Sequence, residues 1–240
     1  MEAKFYHEKC EEVMKRYPDG YFDIAIVDPP YGIKESAKRA RSRTKLAKTR
    51  CYSGSTWDHA IPSEEYFQEL FRVSKNQIIW GGNYFIEHLR NTRCMIIWRK
   101  LTTGNFADCE LAWTSFNSSV REFTFMWNGM LQGKSIAEGH VMQSDKSKNE
   151  ARIHECQKPV ALYKWCLMNY AKPGMKMLDT HMGSGSSAIA AYDFGIEEFV
   201  GCDTDAEHFK NGTTRYNNYA SQGVFFTPAE VVTKISLQLN

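Results

Sequence analysis

Asp23-Ile24-Ala25-Ile26-Val27-Asp28-Pro29-Pro30-Tyr31 joins an apolar run to an acid, two prolines and an aromatic ring. The run shows no polar alternation, so it reads as a strand buried on both faces. Proline has no N–H and cannot extend a ladder, so the strand ends at Asp28. In open α/β sheets ligands collect outside the carboxyl ends of the strands. There the Asp28 carboxylate and the free carbonyl oxygens beside it form a rigid cluster of acceptors topped by Tyr31. That cluster suits a planar group carrying an exocyclic amine, with its ring on Tyr31 and its NH2 donating to Asp28 and the Pro29 carbonyl. An adenine or cytosine lifted out of a nucleic-acid stack is such a group. Taken alone, Asp-Pro-Pro-Tyr also reads as an ordinary strand-ending turn.

A second signal lies far down the chain. Met175 to Thr180 reads as a short strand, His181-Met182-Gly183-Ser184-Gly185-Ser186-Ser187 as a glycine loop, and Ala188 onward as a helix. The glycines allow a tight turn and close approach to a ligand, and the helix start offers N–H groups to an anionic part of it. Ser186, Ser187 and Ala188 follow Gly185, so the third glycine of the dinucleotide fingerprint is missing, as is a Gly-Lys-Ser/Thr ending. The next strand, Glu198 to Asp203, ends in an acid placed to accept from a ribose. The loop is therefore suited to a nucleoside cofactor without a pyrophosphate.

The pair of motifs resembles the DNA amino-methyltransferases that use S-adenosylmethionine, in particular their beta subgroup. There the catalytic motif comes first, followed by the target-recognition segment, a helix announced by Gln-Lys-Pro, and the Gly-rich strand. This chain has that order, with Asp28 to Tyr31, a middle segment, Gln157-Lys158-Pro159 and Leu178 to Ser186, and the resemblance runs from Tyr6 to Tyr219. It implies an α/β fold, a Rossmann-like methyltransferase sheet with helices on both faces and a circularly permuted motif order, in one domain over 1–240. It implies methyl transfer to the N6 amine of an adenine flipped out of double-stranded DNA, with Asp28, Pro29, Pro30 and Tyr31 catalytic. Asp179, His181, Gly183, Ser184, Gly185, Ser186 and Asp203 are then expected around the cofactor, joined by Cys10 and by Gln157 and Lys158 at its methionine carboxylate. Lys9 stands where the family commonly has Asp, Glu155-Cys156 where Pro-Thr is usual, and His181 where Pro or Phe is frequent. The first motif residue is Asp, as in the N6-adenine enzymes; the N4-cytosine enzymes more often carry Ser. N4-cytosine transfer and an inactive DNA-binding module of the same fold are the alternatives, followed by an enzyme acting on RNA or on a protein glutamine. A nucleotide-dependent oxidoreductase is disfavoured by the missing glycine. A homodimer is expected by resemblance only.

Composition bounds the rest. A chain of 240 residues with 42% hydrophobic content can bury the core of one α/β domain. A net charge of +2 is too small to speak for or against nucleic acid, so local charge decides. Lys34, Lys38, Arg39, Arg41, Arg43, Lys45, Lys48 and Arg50 stand close together with one acid, Glu35. A segment of that kind, over 32–58, cannot bury itself and is expected to be a mobile loop that contacts DNA phosphates. Seven cysteines without Cys-x2-Cys spacing indicate neither a disulfide framework nor a metal site. No segment approaches 18 apolar residues, so no membrane is expected and a cytoplasmic protein is the default; a bacterial or phage origin and a restriction-modification role are what the resemblance implies.

Other elements follow from periodicity. Glu64 to Val73 reads as an amphipathic helix started by Pro62-Ser63. Gln77-Ile78-Ile79-Trp80 and Met95-Ile96-Ile97-Trp98 read as neighbouring buried strands, with Asn83 and Tyr84 near the target pocket. Glu110 to Phe116 reads as a further strand. From 117 to 152 the pattern breaks up around Phe123, Phe125 and Trp127, where the resemblance puts target recognition. Pro159 to Tyr170 and Asp205 to Tyr219 read as helices, the first opened by its proline.

Overall fold

All four residues of Ile24–Val27 (β2) are buried, as an apolar run without alternation requires. The structure, a computed structural model, describes residues 1–33, 60–102, 107–128, 131–154 and 156–222. The other strands are Glu2–Tyr6 (β1), Gln77–Trp80 (β3), Met95–Arg99 (β4), Cys109–Thr114 (β5), Arg121–Thr124 (β6), Trp127–Asn128 (β7), Leu131–Gln132 (β8), Lys176–Asp179 (β9) and Glu198–Cys202 (β10). Helices are Cys10–Met14 (α1), Glu64–Val73 (α2), Val160–Tyr170 (α3), Ser186–Phe194 (α4) and Ala206–Ser221 (α5).

Eight strands form one sheet in the order β1-β10-β9-β2-β3-β5-β4-β6, and β7 and β8 form a small ribbon. From β1 to β3 every pairing is parallel. The expected adjacency of β3 and β4 does not occur. β5 lies between them, antiparallel to both. Both runs are apolar enough to be buried, but apolarity carries no information about which strand lies alongside. The short connection from β4 to β5 folds the chain back on itself, and it is β5 that meets β3.

Alternation along β2 and β3 divides the core in two. Ile24, Ile26, Ile78 and Trp80 face α3, α4 and α5, while Ala25, Val27 and Ile79 face α1 and α2. Helix α2 presents Tyr66, Phe67, Leu70 and Val73 at helical spacing to that second layer, and its Ser63 cap accepts from the Tyr66 N–H. Pro159 stands just before α3 as its cap rather than inside it. The 117–152 stretch is more ordered than its composition suggests: Phe123, Phe125 and Trp127 are buried, and β6 pairs with β4.

From β2 the chain proceeds to β3 on one side; from β9 it proceeds to β10 on the other. β2 and β9 are parallel neighbours, so the chain leaves the sheet after Val27 and after Asp179 side by side. This is a topological switch point, where open α/β sheets hold ligands.

Candidate active site

Asp28 follows β2 directly, and its Oδ1 accepts from the Tyr31 hydroxyl at 2.6 Å and forms an ion pair with the Lys158 ammonium at 2.5 Å. Among the described residues no group donates to its Oδ2. Lys158 also donates to the Tyr31 oxygen at 3.0 Å and lies 3.1 Å from Glu110 Oε2. Lys100 pairs with the other oxygen of Glu110. Asp28, Lys158, Glu110 and Lys100 thus form a line of alternating charge, in which Lys158 is buried. Burial works against the Lys158 ammonium, but Asp28 and Glu110 outweigh it and hold its pKa above the ordinary lysine range. Burial pushes the Glu110 carboxyl up, yet Lys158 and Lys100 bring it down to about 2. Burial, with Asp28 and Glu110 alongside, raises the Tyr31 hydroxyl well above its usual value, so it remains a donor.

The Tyr31 ring is stacked on Tyr84, with centroids 4.9 Å apart and planes 15° from parallel. Gly81 makes this possible: its φ is +73°, and a Cβ there would stand 2.2 Å from the Tyr31 ring. Tyr84 is 42% exposed, so the pair presents an aromatic face to solvent at the rim of the pocket.

Across the crevice, Gly183 and Gly185 have left-handed φ of +50° and +72°. The loop rests on α5 through Gly212, close enough that a Cβ on Gly185 would lie 2.7 Å from the Gly212 carbonyl oxygen. Asp203 accepts from the N–H groups of Gly183 and Asp205, each at 2.9 Å, and burial raises its carboxyl. Asp179 accepts from the Ser187 hydroxyl at 2.5 Å and the His181 N–H at 3.1 Å. Burial pushes Asp179 up to about 7, against those two bonds. His181 lies 2.9 Å from the Thr180 hydroxyl, and burial lowers its pKa to about 4, leaving it neutral at pH 7. The His154 ring lies over Gly183, with its Nε2 3.3 Å from His208 Nδ1.

Glu150 connects the 117–152 stretch to this loop. It accepts from Gln157 at 2.8 Å, from the Val160 N–H at 2.9 Å and from Arg215 at 2.7 Å. Arg215 also donates to the Ser184 carbonyl and the Ser186 hydroxyl, both at 2.9 Å. Ser184 and Ser186 are 3.0 Å apart through their hydroxyls.

The structure brings Asp28, Pro29, Pro30 and Tyr31 to one side of the crevice and Asp179, His181, Gly183, Ser184, Gly185, Ser186 and Asp203 to the other. The Lys158 ammonium is in the Asp28 pocket, and Gln157 is buried against Glu150, Ala151 and Ile153. Adjacent residues at a helix start point apart, and the half-buried carboxylates of Asp28 and Glu110 attract the cation. Cys10 is buried in the layer shared with Tyr66 and Cys202, where burial raises its thiol. Lys34, Lys38, Arg39, Arg41, Arg43, Lys45, Lys48 and Arg50 lie outside the described residues. Sequence reasoning missed Glu110, Lys100, Glu150 and Arg215. Only Glu110, an acid in a strand that is otherwise apolar, carried a visible signal.

A mixed sheet, parallel from β1 to β3, with helices on both faces and its switch point between β2 and β9, is the fold of the Rossmann-like, S-adenosylmethionine-dependent DNA methyltransferases. It is shared with the M1.HpyAVI–SAM complex, at 18% identity and a TM-score of 0.50, over 89% of this chain and 99% of that one. It is shared also with the cytosine-N4-specific PvuII DNA methyltransferase, at 10% identity and a TM-score of 0.55, over 97% of this chain and 91% of that one. The sequence model of a family described as DNA methylase, covering N6 and N4 enzymes, matches residues 119–214, from β6 into α5. YubD of Escherichia coli (strain K12), provisionally designated a methylase, is 20% identical over 220 residues, 89% of each chain. Over residues 119–214 the chain is thus similar to the N6/N4 DNA methylase family, and over most of its length it shares the fold of these enzymes.

Proposed function

We propose that this chain transfers a methyl group from S-adenosylmethionine to the N6 amine of an adenine swung out of double-stranded DNA. The observation that carries the reading is the switch point between β2 and β9, which sets an amine-accepting cluster after one strand beside a glycine loop after the other. The loop suits the cofactor. A Cβ on Gly183 would meet the His154 ring at 3.7 Å and the His181 carbonyl oxygen at 4.0 Å, so the backbone there is open to close approach. Asp179 and Asp203 offer carboxylates, and the first N–H groups of α4 lack intrahelical partners. The residues that would hold the cofactor are Gly183, Ser184 and Gly185 through the backbone, Asp203 at the ribose, and Asp179 beneath the loop. When bound, S-adenosylmethionine supplies an electrophilic methyl on a sulfonium.

The residues of the first lip make the amine a competent nucleophile. An adenine amine is weak because its lone pair is delocalised into the ring. Hydrogen bonds from its two N–H groups, to the open Oδ2 of Asp28 and to the Pro29 carbonyl, favour a pyramidal nitrogen with the lone pair directed across the crevice. This is positioning and electrostatics rather than prior deprotonation. The surplus proton leaves the methylated amine through Asp28. The Tyr31–Tyr84 pair provides a platform for the flipped base, where stacking contributes about 1–3 kcal/mol. The basic residues between Lys34 and Arg50 are assigned to phosphate contacts.

The test is incubation with labelled S-adenosylmethionine and unmethylated DNA, with Asp28→Ala as control, followed by digestion and mass identification of the nucleoside. N6-methyladenine made only by the unmutated chain is the expected result. N4-methylcytosine would overturn the choice of base and keep the chemistry. No transfer to DNA, with the cofactor bound, would overturn the reading.

A further inference from the structure

Lys158 is 5% exposed and lies between two carboxylates that are satisfied unequally. Asp28 Oδ1 has both the ammonium and the Tyr31 hydroxyl. Glu110 Oε1 has Lys100, while Glu110 Oε2, fully buried, has no hydrogen bond among the described residues. The Lys158 nitrogen is 3.1 Å from that oxygen and 2.5 Å from Asp28 Oδ1, an ion pair with each, and its hydrogen bond goes to the Tyr31 oxygen. An ammonium in this position can lean to either acid, and the structure shows it closer to Asp28. The occupied place is significant. A nitrogen held 2.5 Å from Asp28 Oδ1 beside Tyr31 stands where a target amine would.

We infer that Lys158 gates the target site: without a base in the pocket its ammonium stands in for the exocyclic amine at Asp28, and it yields by moving onto Glu110. The inference rests on the methyltransferase reading above. Glu110 is then a positioning residue whose open Oε2 receives the lysine, and Lys100 fixes the other oxygen while this happens. The exchange never leaves a buried cation unpaired, a state that costs several kcal/mol. It also keeps the acceptor cluster occupied until a group with equivalent donors arrives. Rotation about the last bonds of the lysine side chain suffices, because the nitrogen already touches both acids.

A double-mutant cycle separates this from a structural role. Methyl transfer to DNA is measured for the unmutated chain, Glu110→Gln, Lys158→Met and the double variant, with cofactor affinity measured on each. Glu110→Gln is expected to lower kcat/KM for DNA about 10- to 100-fold, as for loss of a hydrogen bond to a charged group, with cofactor affinity within about twofold. Adding Lys158→Met is expected to abolish that loss, bringing the double variant to the level of Lys158→Met alone. If Glu110→Gln does not fold, Glu110→Asp, which withdraws the acceptor by one methylene, carries the same prediction of loss and rescue. An equal loss with and without Lys158 overturns the gate, as does a tenfold fall in cofactor affinity in Lys158→Met. Absence of transfer and of cofactor binding in the unmutated chain overturns the methyltransferase reading, and the gate with it.

Discussion

Replacing Asp179 by Asn turns a burial effect into a pH-dependent stability. Asp179 is 1% exposed, and its carboxyl is raised from 3.8 to about 7, chiefly by burial, with Asp28 and Asp203 adding to the rise. The folded chain therefore keeps a proton on Asp179 at pH values where the unfolded chain has lost it. Stability from this group is complete below about pH 4, declines as pH rises towards 7, and is flat above. At 1.36 kcal/mol per pH unit the whole decline is about 4 kcal/mol, and about 3 kcal/mol of it falls between pH 5 and pH 8. Asn is neutral throughout and its carbonyl can still accept from His181 or Ser187. Denaturant unfolding of both chains without cofactor at pH 5, 6, 7 and 8 should show the Asn chain gaining on the Asp chain by about 3 kcal/mol across the series. A difference that does not change with pH would falsify the reasoning. It would mean that the bonds from Ser187 and His181 keep Asp179 ionised in spite of its burial.

Glu150→Ala should leave Arg215, Gln157 and the Val160 N–H without their shared acceptor, whose side chain is 19% exposed. A loss of about 3 kcal/mol is expected, and hydrogen exchange should show it as lost amide protection in β8 and the first turn of α3, with β1 and β10 unchanged. Gly185→Ala adds a Cβ 2.7 Å from the Gly212 oxygen at a φ of +72°. It should cost more than Gly174→Ala, where φ is +83° but nothing lies within 4 Å. The second should cost only the left-handed strain of roughly 1–2 kcal/mol, and equal melting temperatures for the two variants would contradict the close contact with α5.

Much of the fold was legible because its elements are local. Ser63 and the spacing of Tyr66, Phe67, Leu70 and Val73 define α2 within one window, and Asp28 is marked by the prolines after it. The spacing of Phe123, Phe125 and Trp127 at every second residue was also readable as a strand face, but the polar residues between and around them obscured it. What was not legible is non-local. Nothing near Lys158 in the sequence indicates that a residue of β5 and the end of β2 will share its ammonium. The insertion of β5 beside β3 brings Glu110 there, and strand order is set by the assembled sheet. The role of Gln157 was hidden for the same reason: its partner Glu150 matters because Arg215, on α5, comes to the same carboxylate.

The sheet order also bears on how the chain is made. β1 is residues 2–6, yet its strand partner, β10, is residues 198–202. During synthesis the first strand has nothing to pair with until nearly all of the described chain has emerged. The half built from β2, β3, β5 and β4 needs no residue beyond 114, so it can begin to assemble early. The half carrying the glycine loop is completed last, by a pairing that spans almost two hundred residues and carries a correspondingly large loop-closure cost. A nascent chain therefore possesses its amine-accepting cluster well before it has the other lip of the crevice, and it gains both only once β9 has come to lie beside β2.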